Sequence, residues 1–444
     1  MRTDMMTTDR LDTFGRVSGA TLLASFVILA LAAAGLGYSQ SGLLLGLFVV
    51  LLLIATAFSV SRHLLSGRHP DNSDSVRSSV LSRGIVGWLF GVVLTVFYVI
   101  LYWFPHLLGG MVALFDLPSN LLRGKDADQW FMYGTFYTLA VVLMGIRAMA
   151  RYRGSRYHVI RTMSVMFFQL ILAFIVPSIL VLFRKPELYF SYFWPLDYDL
   201  LWPSSVEQLT QEGFLGAFAL TWGIILTFVA TPILTYFFGK RWYCSWVCGC
   251  GGLAETAGDP FRHLSDKRLV AWKIERWMIH GVLLLIVATT LLLWLNTWAG
   301  GAVLGSVSSG FTQFYGFYIG AIFSGVIGVG FYPLMGARVW CRFGCPMAAI
   351  LGIQQRFFSR FRITTNGGQC ISCGNCSKYC EMGIDVRWYA QRGQNIVRAS
   401  CVGCGVCATV CPRGVLKLEN GPGDGRFGDG FVARDSVEIL RPGD

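Results

Sequence analysis

The stretch from Cys370 to Cys411 decides the fold of the C-terminal part of the chain. It reads Cys370-x2-Cys373-x2-Cys376-x3-Cys380, twenty residues, and then Cys401-x2-Cys404-x2-Cys407-x3-Cys411-Pro412. Three cysteines at i, i+3 and i+6 place three thiolates at three corners of one iron–sulfur cube. Structural zinc sites instead pair their cysteines two and two around a single tetrahedral ion. The doubled three-plus-one pattern therefore predicts two [4Fe–4S] clusters.

The fourth cysteine of each motif is expected to cross to the other cluster, as in two-cluster ferredoxins. The predicted ligands of the first cluster are Cys370, Cys373, Cys376 and Cys411. The predicted ligands of the second cluster are Cys401, Cys404, Cys407 and Cys380. Residues 346–420 then form a bacterial-type dicluster ferredoxin domain of α+β class, and a glycine-rich polar tail over 421–444 is expected to be flexible.

The composition indicates an integral membrane protein that carries a redox module. Mean hydropathy is +0.54, apolar residues make up 54% of the chain, and charged residues make up only 14%. In such a protein the formal charge of +12 mainly reports membrane topology, so membrane lipid is a predicted partner and nucleic acid is not.

Eight apolar runs are long enough to cross a bilayer. They lie at 17–37, 42–60, 84–105, 131–150, 163–183, 214–238, 277–298 and 317–336. The first run follows a polar N-terminus, residues 1–16, and the small residues Ala32-Ala33-Ala34 leave a cleaved signal peptide as an alternative to an uncleaved helix. The predicted transmembrane domain covers 17–345. An aromatic stretch between two runs, Tyr189–Pro195, is expected to lie in the headgroup region.

Loop charge predicts the orientation of these helices. On one side, the N-terminus and the loops 61–83, 147–162 and 239–276 hold 19 Lys and Arg residues. The loops on the other side hold 4. The positive-inside rule assigns the first side to the cytoplasm. All thirteen cysteines lie at or after Cys244, and clustered thiolates need a reducing compartment. We therefore expect a multi-pass protein of the cytoplasmic (inner) membrane whose cluster domain faces the cytoplasm.

A second cysteine constellation is a repeat, which we call the first elbow (244–250) and the second elbow (341–345). Each elbow belongs to a Gly-x-Arg-x-aromatic-Cys-x3-Cys segment that follows an apolar run, with Cys244 and Cys248 in the first and Cys341 and Cys345 in the second. Together the two pairs supply four thiolates for a further metal or cluster, and Cys250 adds a weaker candidate. The preceding arginines, Arg241 and Arg338, are expected to lower the thiol pKa or to contact lipid phosphate. Packing of structural thiols is the alternative.

Helices followed by two Cys-x3-Cys elbows and a two-cluster ferredoxin tail resemble the membrane-bound polyferredoxin family of NapH, NosR and CcoG type. The resemblance covers residues 214–420 and implies a membrane iron–sulfur protein. Two departures stand out, because Gly249 follows Cys248 and Glu381 follows Cys380 where the family pattern has proline.

The sequence predicts one-electron transfer between a quinone or cytosolic donor and a membrane-associated acceptor, with redox proteins as partners. No nucleophile–base pair or paired carboxylates indicate bond-breaking chemistry. The chain is therefore interpreted as an electron-transfer subunit of an oxidoreductase rather than a stand-alone enzyme, with no catalytic residue. One alternative is an assembly factor that reduces or handles a metal such as copper for a respiratory oxidase, and another is a redox sensor.

Overall fold

The chain is mostly helical in the computed structural model, which describes residues 2–35, 41–65, 82, 84–239, 241–305 and 307–420. The tail predicted over 421–444, Lys240 and much of the loop 61–83 lie outside the described residues. Within the described part, eight helices are long and apolar enough to cross a membrane, which confirms the predicted number. In chain order these spans are Thr13–Ala33, Ser41–Leu65, Gly84–Trp103, Gln129–Arg151, Arg156–Leu182, Phe214–Phe238, Leu269–Trp298 and Val307–Gly330.

Shorter helices connect the spans and build the C-terminal part. The short helices between the third and the seventh span are Pro105–Leu108, Gly109–Ala113, Asp116–Arg123, Pro203–Gln211, Trp242–Trp246, Gly249–Glu255 and Asp259–Leu264. After the eighth span they are Tyr332–Met335, Val339–Phe343, Pro346–Phe358, Gly367–Gln369, Asn375–Lys378, Val386–Gln391 and Val406–Thr409. The strands Phe361–Thr365 and Leu416–Asn420 form an antiparallel pair in which Ile363 lies opposite Leu418.

Three spans contain π-helical turns, and in two of them a proline explains the turn. The turns Phe168–Ile175 and Leu226–Ala230 lie just before Pro177 and Pro232. Proline has no backbone N–H, so it leaves a carbonyl of the preceding turn without its helical partner. The Thr231 hydroxyl donates at 2.7 Å to the Leu226 carbonyl, which also accepts the Thr231 backbone N–H across the π-helical turn. The third π-helical segment is Tyr315–Ile327 in the eighth span.

The chain divides into two compact units. Unit 1 comprises Met1–Ser75, Val96–Tyr189 and Gly252–Asp259, and unit 2 comprises Val76–Thr95, Phe190–Gly251 and Pro260–Asp444. The apolar core of unit 1 is built around Leu101, Phe115 and Met132, each at most 1% exposed. The core of unit 2 contains both the Cys-x3-Cys segments and the ferredoxin strands.

The buried charges of unit 1 are paired. Asp259 has a fully buried side chain that contacts the Arg151 guanidinium directly, and it accepts a hydrogen bond from the Tyr152 hydroxyl at 2.8 Å. The Arg161 guanidinium lies 2.5 Å from a Glu255 carboxylate oxygen. Removing one partner of such a pair strands an uncompensated charge in the interior. These pairs therefore hold the 252–259 segment to unit 1.

The stretch Phe190–Trp202 in unit 2 packs against two spans of the same unit. Phe193 and Trp194 are 2% and 8% exposed. Thr227, in the sixth span, donates its hydroxyl to the Trp194 carbonyl at 2.9 Å. Trp294, in the seventh span, donates its indole N–H to the Leu201 carbonyl at 2.8 Å. These two donors hold the stretch against the sixth and seventh spans. They are needed because a backbone carbonyl that is buried away from water must find another hydrogen-bond donor.

We predict that Asp259→Ala destabilises the protein by about 3–5 kcal/mol, because it leaves the Arg151 charge buried without its partner. Denaturant unfolding in detergent micelles measures this change. Asp126→Ala is the matched control, since Asp126 is exposed and accepts one hydrogen bond from Asn120, and it should cost less than about 1 kcal/mol. Equal losses for the two variants would contradict the prediction.

Candidate functional site

Two left-handed glycines shape the ferredoxin motifs. Gly374 and Gly405 have φ of 80° and 74°, and each begins a four-residue helix, Asn375–Lys378 or Val406–Thr409. The glycine follows the second cysteine of its motif, so the chain turns sharply there at no steric cost. The third cysteine, Cys376 or Cys407, then lies in the helix and is buried.

The eight ferredoxin cysteines line two cavities, each with cysteines from both motifs. The first cavity, about 350 Å³ of empty space, contains in its wall Cys370, Cys373, Cys376 and Cys411. The second cavity, about 340 Å³, contains in its wall Cys380, Cys401, Cys404 and Cys407. The structure thus brings together the same two sets of four that the sequence predicted as ligand sets. The donor chemistry fits an iron–sulfur cluster, which is held by four cysteine thiolates.

The rest of each wall is largely apolar. The second cavity is completed by Ile363, Met382, Ile384, Val386, Ile396 and Val402, together with one charged residue, Glu381. Burial raises the pKa of the Cys380 thiol to about 11, although backbone N–H groups of Ile384 and Met382 act in the opposite direction. In such surroundings a free thiol stays protonated, whereas a metal-coordinated thiol is deprotonated outright. The site therefore favours thiolates only when they are bound to metal.

The two elbows share one local geometry. Each segment begins at a left-handed glycine, Gly239 or Gly336, with φ of 58° and 90°. A five-residue helix follows, Trp242–Trp246 or Val339–Phe343. The second cysteine then closes the turn, because the Cys248 N–H donates to the Tyr243 carbonyl at 2.9 Å and the Cys345 N–H donates to the Trp340 carbonyl at 3.0 Å. The sequence repeat is thus a structural repeat.

The two arginines that precede the elbows reach across to each other's segment. Arg241 donates from Nη1 to the Cys341 carbonyl at 2.9 Å. Arg338 Nη1 lies 3.4 Å from the Cys244 carbonyl and 3.7 Å from the Cys341 sulfur. Both guanidinium groups are buried, at 2% and 0% exposure. These crossed contacts hold Cys244 and Cys341, the first cysteines of the two elbows, close to each other.

Burial dominates the acidity of the elbow thiols. It raises the pKa of Cys244 to about 12, and nearby Cys341 adds to the shift, while Arg241 and Arg338 oppose it. The two arginines thus act in the expected direction, but burial outweighs them and the net shift of the Cys244 pKa is upward. Cys244, Cys248, Cys341 and Cys345 are all buried, and Cys250 is partly buried. In the part of the chain that the structure describes, no three His, Cys, Asp or Glu side chains converge on a single-ion site.

A buried ion pair links the second elbow to the second cavity. Arg338 Nη2 lies 3.0 Å from Oε1 of Glu381, the residue directly after Cys380. Arg262 Nη1 lies 2.7 Å from the other carboxylate oxygen of Glu381. Arg338 and Glu381 are both 0% exposed. The sequence showed Glu381 only as a departure from the proline of the family pattern, and no local feature marked its two buried partners.

The first elbow also contacts the second cavity. Arg241 Nε donates to the Ala399 carbonyl at 2.9 Å, and the Ser245 hydroxyl donates to the Val402 carbonyl at 2.5 Å. Both acceptors flank Cys401, a cysteine of the second cavity. Both elbows therefore pack against the second cavity through polar contacts. The first cavity lies on the open side of the domain, where Cys373 is exposed.

Comparisons with known proteins agree with this architecture. Residues 220–268 and 317–364 each match the profile of a 4Fe–4S binding domain, and residues 369–416 match a 4Fe–4S dicluster domain. The two copies of the first profile begin at the same interval that separates Cys244 from Cys341. Each copy therefore contains one elbow.

Two curated relatives are similar over part of the chain. "Putative electron transport protein YccM" of Escherichia coli is 26% identical over 186 residues, which cover 37% of this chain and 46% of the relative. "Uncharacterized protein MJ0749" of Methanocaldococcus jannaschii is 26% identical over 186 residues, covering 40% of this chain and 67% of the relative. The match thus spans less than half the length of YccM. No solved structure matches the chain. The chain thus matches models of 4Fe–4S binding domains and is similar, over part of its length, to a putative electron transport protein.

Proposed function

We propose that this chain is a membrane-anchored electron-transfer protein that holds two [4Fe–4S] clusters in its ferredoxin domain. The observation that carries the proposal is the pair of cavities, each with three cysteines of one motif and one of the other in its wall. When bound, such clusters supply one-electron transfer over a wide range of potentials. The chain's own residues hold the clusters, exclude water and set the local charge.

The first cluster is proposed to be held by Cys370, Cys373, Cys376 and Cys411. The second is proposed to be held by Cys401, Cys404, Cys407 and Cys380. The apolar side chains around the second cavity exclude water, and burial and hydrogen bonding are two of the factors that tune cluster potential. The Glu381–Arg338 pair places a fixed, buried charge distribution beside that cavity.

The four elbow cysteines, Cys244, Cys248, Cys341 and Cys345, are proposed to hold a third iron–sulfur cluster. Two observations support this extension: the crossed arginines bring the two elbows together, and both elbows lie within 4Fe–4S binding-domain matches. Burial of all four thiols favours a resident cofactor over copper handling, because a cargo metal must enter and leave. The elbows and their contacts with the second cavity would then extend the redox path toward the spans.

The remaining features of the proposal concern location and donors. The excess of Lys and Arg on one set of loops supports a cytoplasmic-membrane protein whose cluster domain faces the cytoplasm. A reducing compartment also suits a chain whose thirteen cysteines all lie at or after Cys244. The donor is proposed to be a quinone or a cytosolic reductant, and the acceptor a membrane-associated redox protein.

The iron content of anaerobically purified protein tests the proposed cofactors. We expect about twelve iron and about twelve sulfide atoms per chain, since each [4Fe–4S] cluster contains four of each. The double variant Cys244→Ser/Cys341→Ser should drop to about eight, and Cys250→Ser, the control thiol outside the two pairs, should keep about twelve. Wild-type protein with eight iron atoms would remove the third cluster, and iron-free protein would overturn the function.

In the proposed ligand sets, the fourth cysteine of each motif binds the cluster of the other motif. This arrangement predicts which cysteine variants alter the same EPR signal. Cys380→Ser should alter the same EPR signal as Cys401→Ser, although Cys380 belongs to the other sequence motif. Cys411→Ser should alter the signal that Cys370→Ser alters. Potentiometric EPR of the four variants measures this grouping. If the signals group by motif instead, the proposed ligand sets are wrong.

The buried ion pair predicts opposite shifts in reduction potential. Arg338→Gln removes a positive charge beside the second cavity, so reduction of the second cluster becomes less favourable. Its potential should fall by about 60 mV, which corresponds to a tenfold change in the equilibrium constant of a one-electron reduction. Glu381→Gln removes a negative charge and should raise the potential by a similar amount. Lys417→Gln changes an exposed charge on a strand and should leave the potential nearly unchanged. Shifts of the same sign in the first two variants would refute this electrostatic role.

A further inference from the structure

The first cavity opens on a surface where a partner protein can reach its wall. All thirteen cysteines are among the described residues, and of these only Cys373 is exposed. Ile371, two residues earlier, is 53% exposed at the same mouth. The backbone between them is held in an unusual conformation, since Ser372 has a φ of 59°. The Ser372 hydroxyl accepts a hydrogen bond from the Gln391 side chain at 2.6 Å, which fixes this loop.

Four basic side chains lie in or directly after the segments that line this cavity, and we call them the basic rim: Lys378, Arg387, Arg392 and Arg413. Arg387 and Arg413 are in the wall of the first cavity. Arg392 stacks over the ring of Trp388 at 4.1 Å, and Lys378, Arg387 and Arg392 are all exposed. A cation that rests on an indole ring is ordered while its charge still faces solvent.

The three acidic residues of the same domain each contact a residue outside the basic rim. Glu381 is buried and paired with Arg338 and Arg262. Asp385 accepts a hydrogen bond from the Ser377 hydroxyl at 2.6 Å, and Glu419 is engaged by the Thr364 hydroxyl on the strand pair. The domain between residues 370 and 419 holds six basic residues and three acidic ones. The charged side chains of this domain therefore sum to +3, and three of the four residues of the basic rim are exposed.

We propose that the basic rim and its exposed apolar centre, Ile371 and Trp388, form the docking site for an acidic one-electron carrier protein of the ferredoxin or flavodoxin class. This inference rests on the proposed function. An apolar patch within a charged rim is the anatomy of a protein–protein interface, and complementary charge speeds encounter and fixes orientation. A carrier seated there lies over the exposed Cys373, whereas the second cavity is covered by the elbow contacts.

Binding of an acidic flavodoxin to the full-length protein in zwitterionic-lipid nanodiscs tests the proposal without requiring turnover. We expect the flavodoxin to bind at 0.1 M ionic strength and to bind much more weakly at 1 M, because the Debye length falls from about 10 Å to about 3 Å. The double variant Lys378→Glu/Arg392→Glu, in which neither residue is in the cavity wall, should weaken binding at least about tenfold. Lys417→Glu, a single charge reversal on an exposed residue outside the rim, should alter it less than about twofold.

Two controls separate this proposal from the function on which it rests. The double variant should keep wild-type iron and sulfide content, which shows that the domain is folded around its cofactors. If wild-type protein with full iron content binds neither the flavodoxin nor an acidic ferredoxin, the docking site is wrong and the electron-transfer function stands. If the rim variant loses affinity for anionic-lipid vesicles while flavodoxin binding is unchanged, the rim contacts lipid and the proposal is overturned.

Discussion

Each ferredoxin motif can supply only three thiols to its own cavity, and this constraint organises the C-terminal part of the chain. The fourth thiol comes from the other motif, so neither cavity is complete until both motifs have folded around each other. The antiparallel strands Phe361–Thr365 and Leu416–Asn420 bring the two ends of this region together. The left-handed Gly374 and Gly405 turn the chain so that the third cysteine of each motif, Cys376 or Cys407, is buried. Cofactor binding and folding are therefore expected to be coupled.

Buried charge connects this domain to the elbows. Burying Arg338 and Glu381 carries a large desolvation cost, which only close mutual contact and further hydrogen bonds offset. A buried ion pair does not by itself show that the fold is stabilised. The position of this pair therefore says more about its role than its presence does. It lies between a cysteine sulfur of the second elbow and the wall of the second cavity. An apolar pair would pack the same space without placing charge beside two thiol-rich sites.

The sequence predicted what depends on residue type and spacing. The eight spans followed from hydropathy, although the seventh begins at Leu269 rather than at 277, because Lys273, Glu275 and Arg276 interrupt the apolar run without interrupting the helix. The two sets of four cysteines followed from spacing alone. The duplicated elbow was visible as Gly-x-Arg-x-aromatic-Cys-x3-Cys, and the duplication holds in the backbone as well.

Pairings between distant residues could not be predicted. Nothing local marks Glu381 as the partner of Arg338 and Arg262, or Thr227 as the donor to the Trp194 carbonyl. The aromatic stretch near Trp194 carries the composition of an interfacial loop, and its packing against the sixth and seventh spans depends on hydrogen-bond donors that lie more than thirty residues away. For the thiols, the sequence showed the arginines but not the extent of burial, and burial sets the direction of the pKa shift.

The central claim is that two clusters occupy the two cavities and that each is held by cysteines from both motifs. An experimental map of anaerobically purified protein, with iron located by anomalous scattering, tests it most directly. The account predicts one cubane centre joined to Cys370, Cys373, Cys376 and Cys411, and another joined to Cys380, Cys401, Cys404 and Cys407. Single metal ions held by the cysteines of one motif, or cavities without iron, would contradict it.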